Sequence, residues 1–471
     1  MLRFPFVAML LSGVALSACT LAPAYERPVL PVAQAFPNAT DGAGRGSAAD
    51  LPVDAVFQDP RLRAVIALAL SNNRDLRVAV ANIERARAQY RVQRSDLLPT
   101  ISASAAYTRS RTPASTSAAG VTADIEQYSA GVGFASYELD LFGRIRSLSA
   151  AALESYFATE EDRRTAQISL IAETANNYLI LAADRDLLRI AQEALKTRED
   201  TLALSRRRFN AGATSQLDLR QAETLTEQAR SDTATATANV AQAMNALRLV
   251  VGAEVPAELL PAAGVAEIAI LPELPAGLPS EVLTQRPDVR SAEHSLKAQN
   301  ANIGAARAAF FPSISLTGSA GSASPDIGGL FASGSGAWSF APQVNLPIFT
   351  GGANRANLGA ARANRDIAVA QYEKTVQTAF REVADALAVR ATIRDQVAAQ
   401  ERLLVAATDS QRLSQIRYNR GVDSYLTLLD AQRTLYAAQQ TLISAQLTEA
   451  ANRVELYRAV GGGAPSDPKT S

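Results

Sequence analysis

The second half of this chain repeats the first. Four short matches recur in the same order, each a little over two hundred residues apart. Arg74-Asp75-Leu76-Arg77 returns as Pro287-Asp288-Val289-Arg290. Leu97-Leu98-Pro99-Thr100-Ile101-Ser102 returns as Phe310-Phe311-Pro312-Ser313-Ile314-Ser315. Leu139-Asp140-Leu141-Phe142-Gly143 corresponds to Leu346-Pro347-Ile348-Phe349 and the following Gly351-Gly352. Arg208-Phe209-Asn210-Ala211-Gly212 returns as Arg417-Tyr418-Asn419-Arg420-Gly421. Chance produces one such match; four in order mean duplication, and the repeated unit then defines the fold.

Each repeat reads helix, two strands, long helix, turn, helix. In the first, Ile101, Ala103, Ala105 and Tyr107 alternate with Ser102, Ser104, Ala106 and Thr108. Tyr128, Ala130, Val132 and Phe134 alternate with Ser129, Gly131, Gly133 and Ala135. In the second, Ile314 and Leu316 alternate with Ser313, Ser315 and Thr317. Phe340, Val344, Leu346 and Ile348 stand against Gln343 and Asn345. A period of two with one small or polar face fits strands of a transmembrane barrel. A soluble sandwich would share the period. The barrel is favoured because the second face carries small polar residues rather than charges, and because Tyr107, Tyr128, Trp338 and Phe340 lie near strand ends. The connections over about 110–127 and 320–336 are rich in Gly, Ser, Thr and Ala and read as long exposed loops.

The helices constrain the architecture further. Arg144 to Phe209 contains neither Pro nor Gly, and Asn354 to Asn419 is interrupted only by Gly359. At 1.5 Å per residue each is about 100 Å long. Each ends at one glycine, Gly212 or Gly421, and the chain returns as a helix over about 214–251 or 424–460. Such hairpins pack as coiled coils. In the second return helix Leu428, Leu435, Leu442 and Leu456 share one heptad position, and Leu429, Tyr436, Ile443, Ala450 and Tyr457 the adjacent one.

The N-terminal stretch reads as a processing signal. Arg3 precedes an apolar run from Phe4 to Leu16, too short for the roughly 20 residues that span a bilayer. Leu16-Ser17-Ala18-Cys19 has the form of a bacterial lipobox, with cleavage before Cys19 and a lipid on its thiol. Cys19 is the one cysteine of the chain. The expected organisation is a leader over 1–18 and a lipid-anchored tether over 19–54. A first repeat follows over 55–252, with its β-hairpin at about 99–142 and its helical tip at 209–214. A joining segment covers 253–279. The second repeat covers 280–460, with its β-hairpin at about 311–350 and its tip at 418–424, before a tail over 461–471.

Composition excludes several classes. There are 46 basic and 46 acidic residues, so no basic surplus marks a nucleic-acid partner. The one histidine, His294, lies in a helical stretch and reads as a surface or packing residue. No Gly-x-Ser-x-Gly, phosphate loop or metal cluster is present, so an enzyme is not expected, nor any cofactor beyond the lipid on Cys19. Past the leader Met244 is the one methionine, which leaves no Met/His copper relay. No stretch past the leader has the uninterrupted apolar length of a transmembrane helix, so a closed β-barrel is the remaining way across a membrane. Four strands cannot close alone. Two copies would give eight strands with a filled interior; three would give twelve and a lumen. Three copies would also join the hairpins into a hollow helical barrel continuous with the strands, a conduit open at a membrane and projecting far from it.

On these features the sequence resembles the TolC-like outer-membrane factors of tripartite efflux systems, in the lipoprotein branch called OprM/NodT. The resemblance covers essentially the whole chain past the leader. Its most specific stretch is Arg417-Tyr418-Asn419-Arg420-Gly421-Val422-Asp423-Ser424-Tyr425-Leu426-Thr427-Leu428-Leu429-Asp430-Ala431-Gln432-Arg433. The resemblance implies an α+β membrane protein, a homotrimer with a 12-stranded β-barrel in the outer membrane and a 12-helix tunnel through the periplasm. It implies a periplasmic adaptor and an inner-membrane pump, expected to be proton-driven, as partners, with outer-membrane lipid around the barrel. Arg208, Phe209, Asn210, Gly212, Arg417, Tyr418, Asn419 and Gly421 then form adaptor-docking tips. Leu426, Asp430 and Arg433 form a periplasmic gate. Their counterparts of the first repeat for the last two are Gln221 and Thr224, so the gate is expected mainly from the second. The competing expectations are a protein-secretion channel and a structural periplasmic lipoprotein that does not conduct.

Overall fold

The computed structural model describes residues 20–33, 35–37, 53–116, 120–262, 264–268, 270 and 280–462. Cys19 and the leader lie outside the described residues, as do most of the tether beyond Pro37, residues 271–279 and the tail from 463. The main elements in chain order are α1 (Pro60–Asn72), α2 (Arg74–Ser95), β1 (Ile101–Thr112), β2 (Ala123–Leu139), α3 (Arg144–Asn210) and α4 (Gln216–Val251). They continue as α5 (Pro287–Ala308), β3 (Ser313–Ser324), β4 (Gly336–Asn345), α6 (Ala353–Asn419) and α7 (Tyr425–Ala459). The helix–strand–strand–helix–helix order therefore occurs twice. Gly359 sits inside α6 without breaking it. No helix among the described residues is long and apolar enough to cross a membrane.

The chain divides into two compact units, and neither coincides with a repeat. One joins the segment up to Val29 with Asn82–Glu160 and Ser291–Glu373. The other joins Leu30–Ala81, Glu161–Arg290 and Lys374 onward. Each unit thus draws on both halves of the sequence.

The first unit holds the sheet. β1 to β4 pair antiparallel in sequence order. Register places Ile101, Phe134, Gly318 and Phe340 in one row and Ala103, Val132, Ala320 and Trp338 in the row two residues on. The intervening rows read Ser102, Gly133, Ser319, Ser339 and Ser104, Gly131, Gly321, Ala337. Alternation thus sorts large apolar groups to one face and small ones to the other. Trp338 is 80% exposed and Phe340 58%, so among the described residues the apolar face is left uncovered at β4. Gly131 permits close strand approach, since a β-carbon there would lie 2.8 Å from the Ala320 carbonyl oxygen.

The strands differ from the expected spans for physical reasons. β1 runs to Thr112 and β2 begins at Ala123, well inside the expected loop, because charges pair across the ladder. Arg109 stands opposite Glu126 at 3.4 Å, and Arg111 holds Asp124 through two contacts of 2.6 and 2.9 Å. β3 likewise runs on to Ser324. β4 tolerates Pro342 inside the ladder and stops at Asn345 rather than Ile348. Near the helical end of β2 a bulge puts Ser136 at φ +54°, and its N–H donates to Thr317 Oγ1 at 3.1 Å.

The same unit carries a peptide strap. Residues 20–27 lie along α5. Asn300 donates to the Pro23 carbonyl at 2.8 Å and Arg307 to the Leu21 carbonyl at 3.0 Å. Arg27 grips the buried Glu293 carboxylate at 2.8 and 3.0 Å, and Tyr25 donates to it at 3.2 Å. Burial pushes that carboxyl up, but Arg27 and Lys297 outweigh it and hold Glu293 below its ordinary range. Gly304 makes room, because a β-carbon there would lie 2.7 Å from the Ala22 nitrogen. His294 packs beside Phe157, with Nδ1 2.6 Å from Glu154.

The second unit is helical. Along α7, Leu428, Leu429, Leu442, Ile443, Ala450, Leu456 and Tyr457 are buried, as the heptad pattern requires. Leu435 and Tyr436, of the same two positions, are only half-buried. A buried network closes the other end of α7. Arg286, 5% exposed, pairs with Asp288 at 2.6 Å and Glu382 at 2.9 Å, and Arg458 bridges Glu382 to Glu455. These partners compensate a guanidinium that is costly to bury alone.

Candidate gate and docking tips

The two helix-ending turns are built alike. Gly212 has φ +74° and Gly421 φ +73°, and nothing lies within 4 Å of where a side chain would begin. The glycine is therefore required by the left-handed backbone, not by crowding. At the first turn the Ala213 N–H donates to the Arg208 carbonyl at 2.8 Å and the Gly212 N–H to the Phe209 carbonyl at 2.9 Å. At the second, Val422 donates to Arg417 at 2.9 Å and Gly421 to Tyr418 at 3.0 Å. Both are Schellman ends, which satisfy the last carbonyls of α3 and α6.

Beyond the glycines the turns diverge. Ser215 caps α4 in a closed capping box: its hydroxyl accepts from the Asp218 N–H at 3.1 Å while the Asp218 carboxylate accepts from the Ser215 N–H at 3.3 Å and from the Thr214 hydroxyl at 2.8 Å. Ser424, its counterpart, makes no side-chain cap on α7. There Asp423 takes two contacts from Arg417 across the turn, at 2.6 and 2.7 Å. That guanidinium holds the Asp423 carboxyl below its ordinary range.

Besides the two glycines, the six other tip residues fall into two groups. Tyr418, 5% exposed, is packed inward with Leu202, Ala222, Tyr425 and Leu428, and Leu219 lies against the cluster. Burial pushes the Tyr425 hydroxyl up to about 12. Arg208 stacks over the Tyr418 ring, 4.7 Å from its centroid, and donates to the Asn419 carbonyl at 3.4 Å. The structure thus brings Arg208 of one repeat to Tyr418 of the other, and both hold the tips together. Phe209, Asn210, Arg417 and Asn419 are exposed. An exposed Phe209 beside a buried Tyr418 is a difference that their matching sequence positions do not announce.

Leu426, Asp430 and Arg433 recur at helical spacing on α7, and all three are exposed. The opposite face, with Tyr425, Leu428, Leu429 and Gln432, is buried. Among the described residues the Asp430 carboxylate has no ion-pair partner, and Arg433 does not turn back to it. The stripe is therefore a bare charged surface in one chain, not an intrahelical pair. In the first repeat Leu217 is exposed at the position of Leu426, but Gln221 and Thr224 replace the charges. Asp423 is the tip residue that sequence reasoning passed over. Its signal, an acid six residues beyond a basic one across a glycine turn, follows no general spacing rule.

Comparison with known proteins agrees with this geometry. The model of the family described as outer membrane efflux protein matches residues 65–253 and 278–462. The chain is 48% identical over 461 residues to the toluene efflux pump outer membrane protein TtgC of Pseudomonas putida, covering 97% of this chain and 95% of that protein. It is 44% identical over 458 residues to outer membrane protein OprJ of Pseudomonas aeruginosa, covering 97% and 95%. Among solved structures, the open state of the Neisseria gonorrhoeae MtrE outer membrane channel superposes with a TM-score of 0.87 at 44% identity, covering 96% of this chain and all of that one. The outer-membrane channel OprN gives 0.86 at 31% identity, covering 94% and 99%. Two matched blocks, one per repeat, and relatives aligned almost end to end place this chain in the outer membrane efflux protein family.

Proposed function

We propose that this protein is the passive exit duct of a tripartite efflux pump, assembled from three copies and closed at its periplasmic end by a gate on α7. The observation that carries the assembly is the sheet. Among the described residues its two outer edges lack strand partners, and much of its apolar face is exposed. An open edge is not tolerated in lipid, so copies must pair edge to edge until the sheet closes. Three copies give twelve strands, the smaller-residue face then lining a lumen.

The gate follows from the same symmetry. Three copies set three Asp430 carboxylates and three Leu426 side chains around one axis, with Arg433 one turn further along. A ring of carboxylates attracts cations and narrows the passage. The chain supplies no engine for transport, so work comes from an inner-membrane pump, which we take to be proton-driven, through a periplasmic adaptor at the tips. Phe209, Asn210, Arg417 and Asn419 are the exposed side chains there for an adaptor to meet. Adaptor binding need only favour the open arrangement over the closed one. Acylation of Cys19 would add an anchor that sorts the protein to the outer membrane. Relatives are named as outer membrane proteins of toluene, antibiotic and solvent efflux pumps, and small apolar molecules are the substrate class we assign to this duct.

Conductance in planar bilayers tests the gate. Replacing Asp430 by Ala should raise single-channel conductance by at least about twofold and weaken cation block. Unchanged conductance in a correctly assembled protein would remove Asp430 from the gate.

A further inference from the structure

One helical turn behind the tip cluster, α3 and α7 stop packing tightly. A cavity of about 230 Å³ opens there, lined in part by Arg198, Gln411, Gln432, Tyr436 and Gln439. It lies at the half-buried Leu435 and Tyr436, where the heptad seam of α7 is incompletely covered.

The polar groups around it are unusual. Arg198 is 6% exposed, and its guanidinium donates to the Leu225 carbonyl at 3.3 Å while lying 5.3 Å from the centre of the Tyr436 ring. Among the described residues no carboxylate comes within ion-pair distance of it. Asp232 is near enough to be felt, but it accepts from Gln228 at 2.8 Å, and Arg433 adds a like charge. Glu193 stands at the rim, 60% exposed and paired with Arg189 at 3.2 Å. Burial pushes the Arg198 guanidinium below its ordinary range. Gln432 is 8% exposed, and neither its amide nitrogen nor its oxygen has a hydrogen-bond partner.

A buried cation without a counter-charge and a buried amide without a partner are each costly. Arg286 shows what compensation looks like elsewhere in the same unit: two carboxylates within 3 Å. At Arg198 nothing among the described residues fills that role, yet space is left beside it. A guanidinium has five donors in a planar fork suited to carboxylate, phosphate or sulfate, and one carbonyl does not use them up. The Gln432 amide supplies another donor from the facing helix.

We propose that this cavity is a binding site for a small oxyanion, held between Arg198 on α3 and Gln432 on α7. The bound anion ties the two helices together on the side of α7 opposite Asp430. Its occupancy therefore favours the closed gate, a consequence that rests on the channel reading, whereas the binding does not.

The two parts are separable by experiment. Sulfate, inorganic phosphate and acetate are titrated at constant ionic strength, with chloride as the balance, into the purified full-length protein. Unfolding temperature and calorimetric heat are followed. The wild type should show a saturable rise in unfolding temperature with at least one oxyanion. Comparing sulfate and phosphate with acetate tells a tetrahedral ligand from a planar one. Arg198→Gln should abolish the response and Gln432→Leu should weaken the affinity about tenfold. Gln432→Glu places a carboxylate beside Arg198; it should raise the unfolding temperature without added anion and remove the response. Arg198→Lys, which keeps the charge without the fork, serves if Arg198→Gln does not assemble, and should bind more weakly. No saturable response in the wild type with any of the three anions would mean a cavity holding water only, and would overturn the site. So would identical responses in wild type and the Arg198 variants. In bilayers, sulfate should lower the open probability of the wild type and leave Gln432→Glu unchanged. Binding without that difference would overturn the coupling to the gate and retain the site.

Discussion

The two helical tips are the same turn finished in two ways. Both end a long helix on a left-handed glycine with the same pair of backbone hydrogen bonds. The first then closes with a capping box, a set of short-range contacts among Thr214, Ser215 and Asp218. The second leaves Ser424 without a side-chain cap and relies on the Arg417–Asp423 ion pair. Duplication thus preserved the backbone solution and let the side-chain lock diverge. A capping box is neutral in its consequences and hard to disturb from outside. An exposed ion pair is weak and screened by salt, so a partner's charges can replace it. The residues we propose as the gate follow the second kind of turn.

Core truncation should break the comparison most. Leu428 is fully buried in the tip cluster, whereas Leu219, its repeat counterpart, only packs against it. Leu428→Ala should cost about 3 kcal/mol in unfolding free energy and Leu219→Ala less than about half of that, measured by denaturant unfolding. Equal losses would mean that the two tips share one core evenly. Next in size is the cap. Ser215→Ala should cost about 1 kcal/mol and speed hydrogen exchange at the Asp218 amide, while Ser424→Ala should do almost nothing.

The smallest effect on stability, and the sharpest in kind, belongs to Asp423. Asp423→Asn should raise the resting open probability modestly and remove its dependence on salt. Wild-type open probability, which unlike conductance does not scale with the number of carrier ions, should rise between low and high salt as the pair is screened, over a Debye length that falls to about 3 Å at 1 M. Acid tests the same lock. Because Arg417 depresses the Asp423 pKa, the pair stabilises the tip above the ordinary carboxylate pKa of about 3.9 and is lost as pH falls through the depressed value. Asp218 is also held low, its hydrogen bonds to Thr214 and Ser215 outweighing burial. Acid therefore loosens both tips, and salt sensitivity is what tells them apart.

Much of this was legible in the chain. Long runs without Pro or Gly can only be helices of unusual length, and the period of two marked the strand centres. The strand ends were hidden because Arg109, Arg111, Asp124 and Glu126 look like loop residues until register sets them opposite each other. Leu426, Asp430 and Arg433 share a face because helical spacing says so. Tyr418 and Phe209 occupy matching positions, yet packing buries one and not the other, and no local pattern encodes that. Arg198 and Gln432 were equally silent. On a helix rich in charges a buried arginine reads like any other until its missing partner is seen.

The strap over residues 20–27 has a practical consequence for anyone handling the protein. Ala22 sits against Gly304, and Thr20 reaches Ser147 at 3.3 Å. An affinity tag or fluorophore inserted between Thr20 and Arg27 would prise the segment from its groove. A single codon change, Gly304 to Ala, would do the same without any insertion, and offers geneticists a mild allele that unseats one end of the protein while leaving its pore sequence untouched.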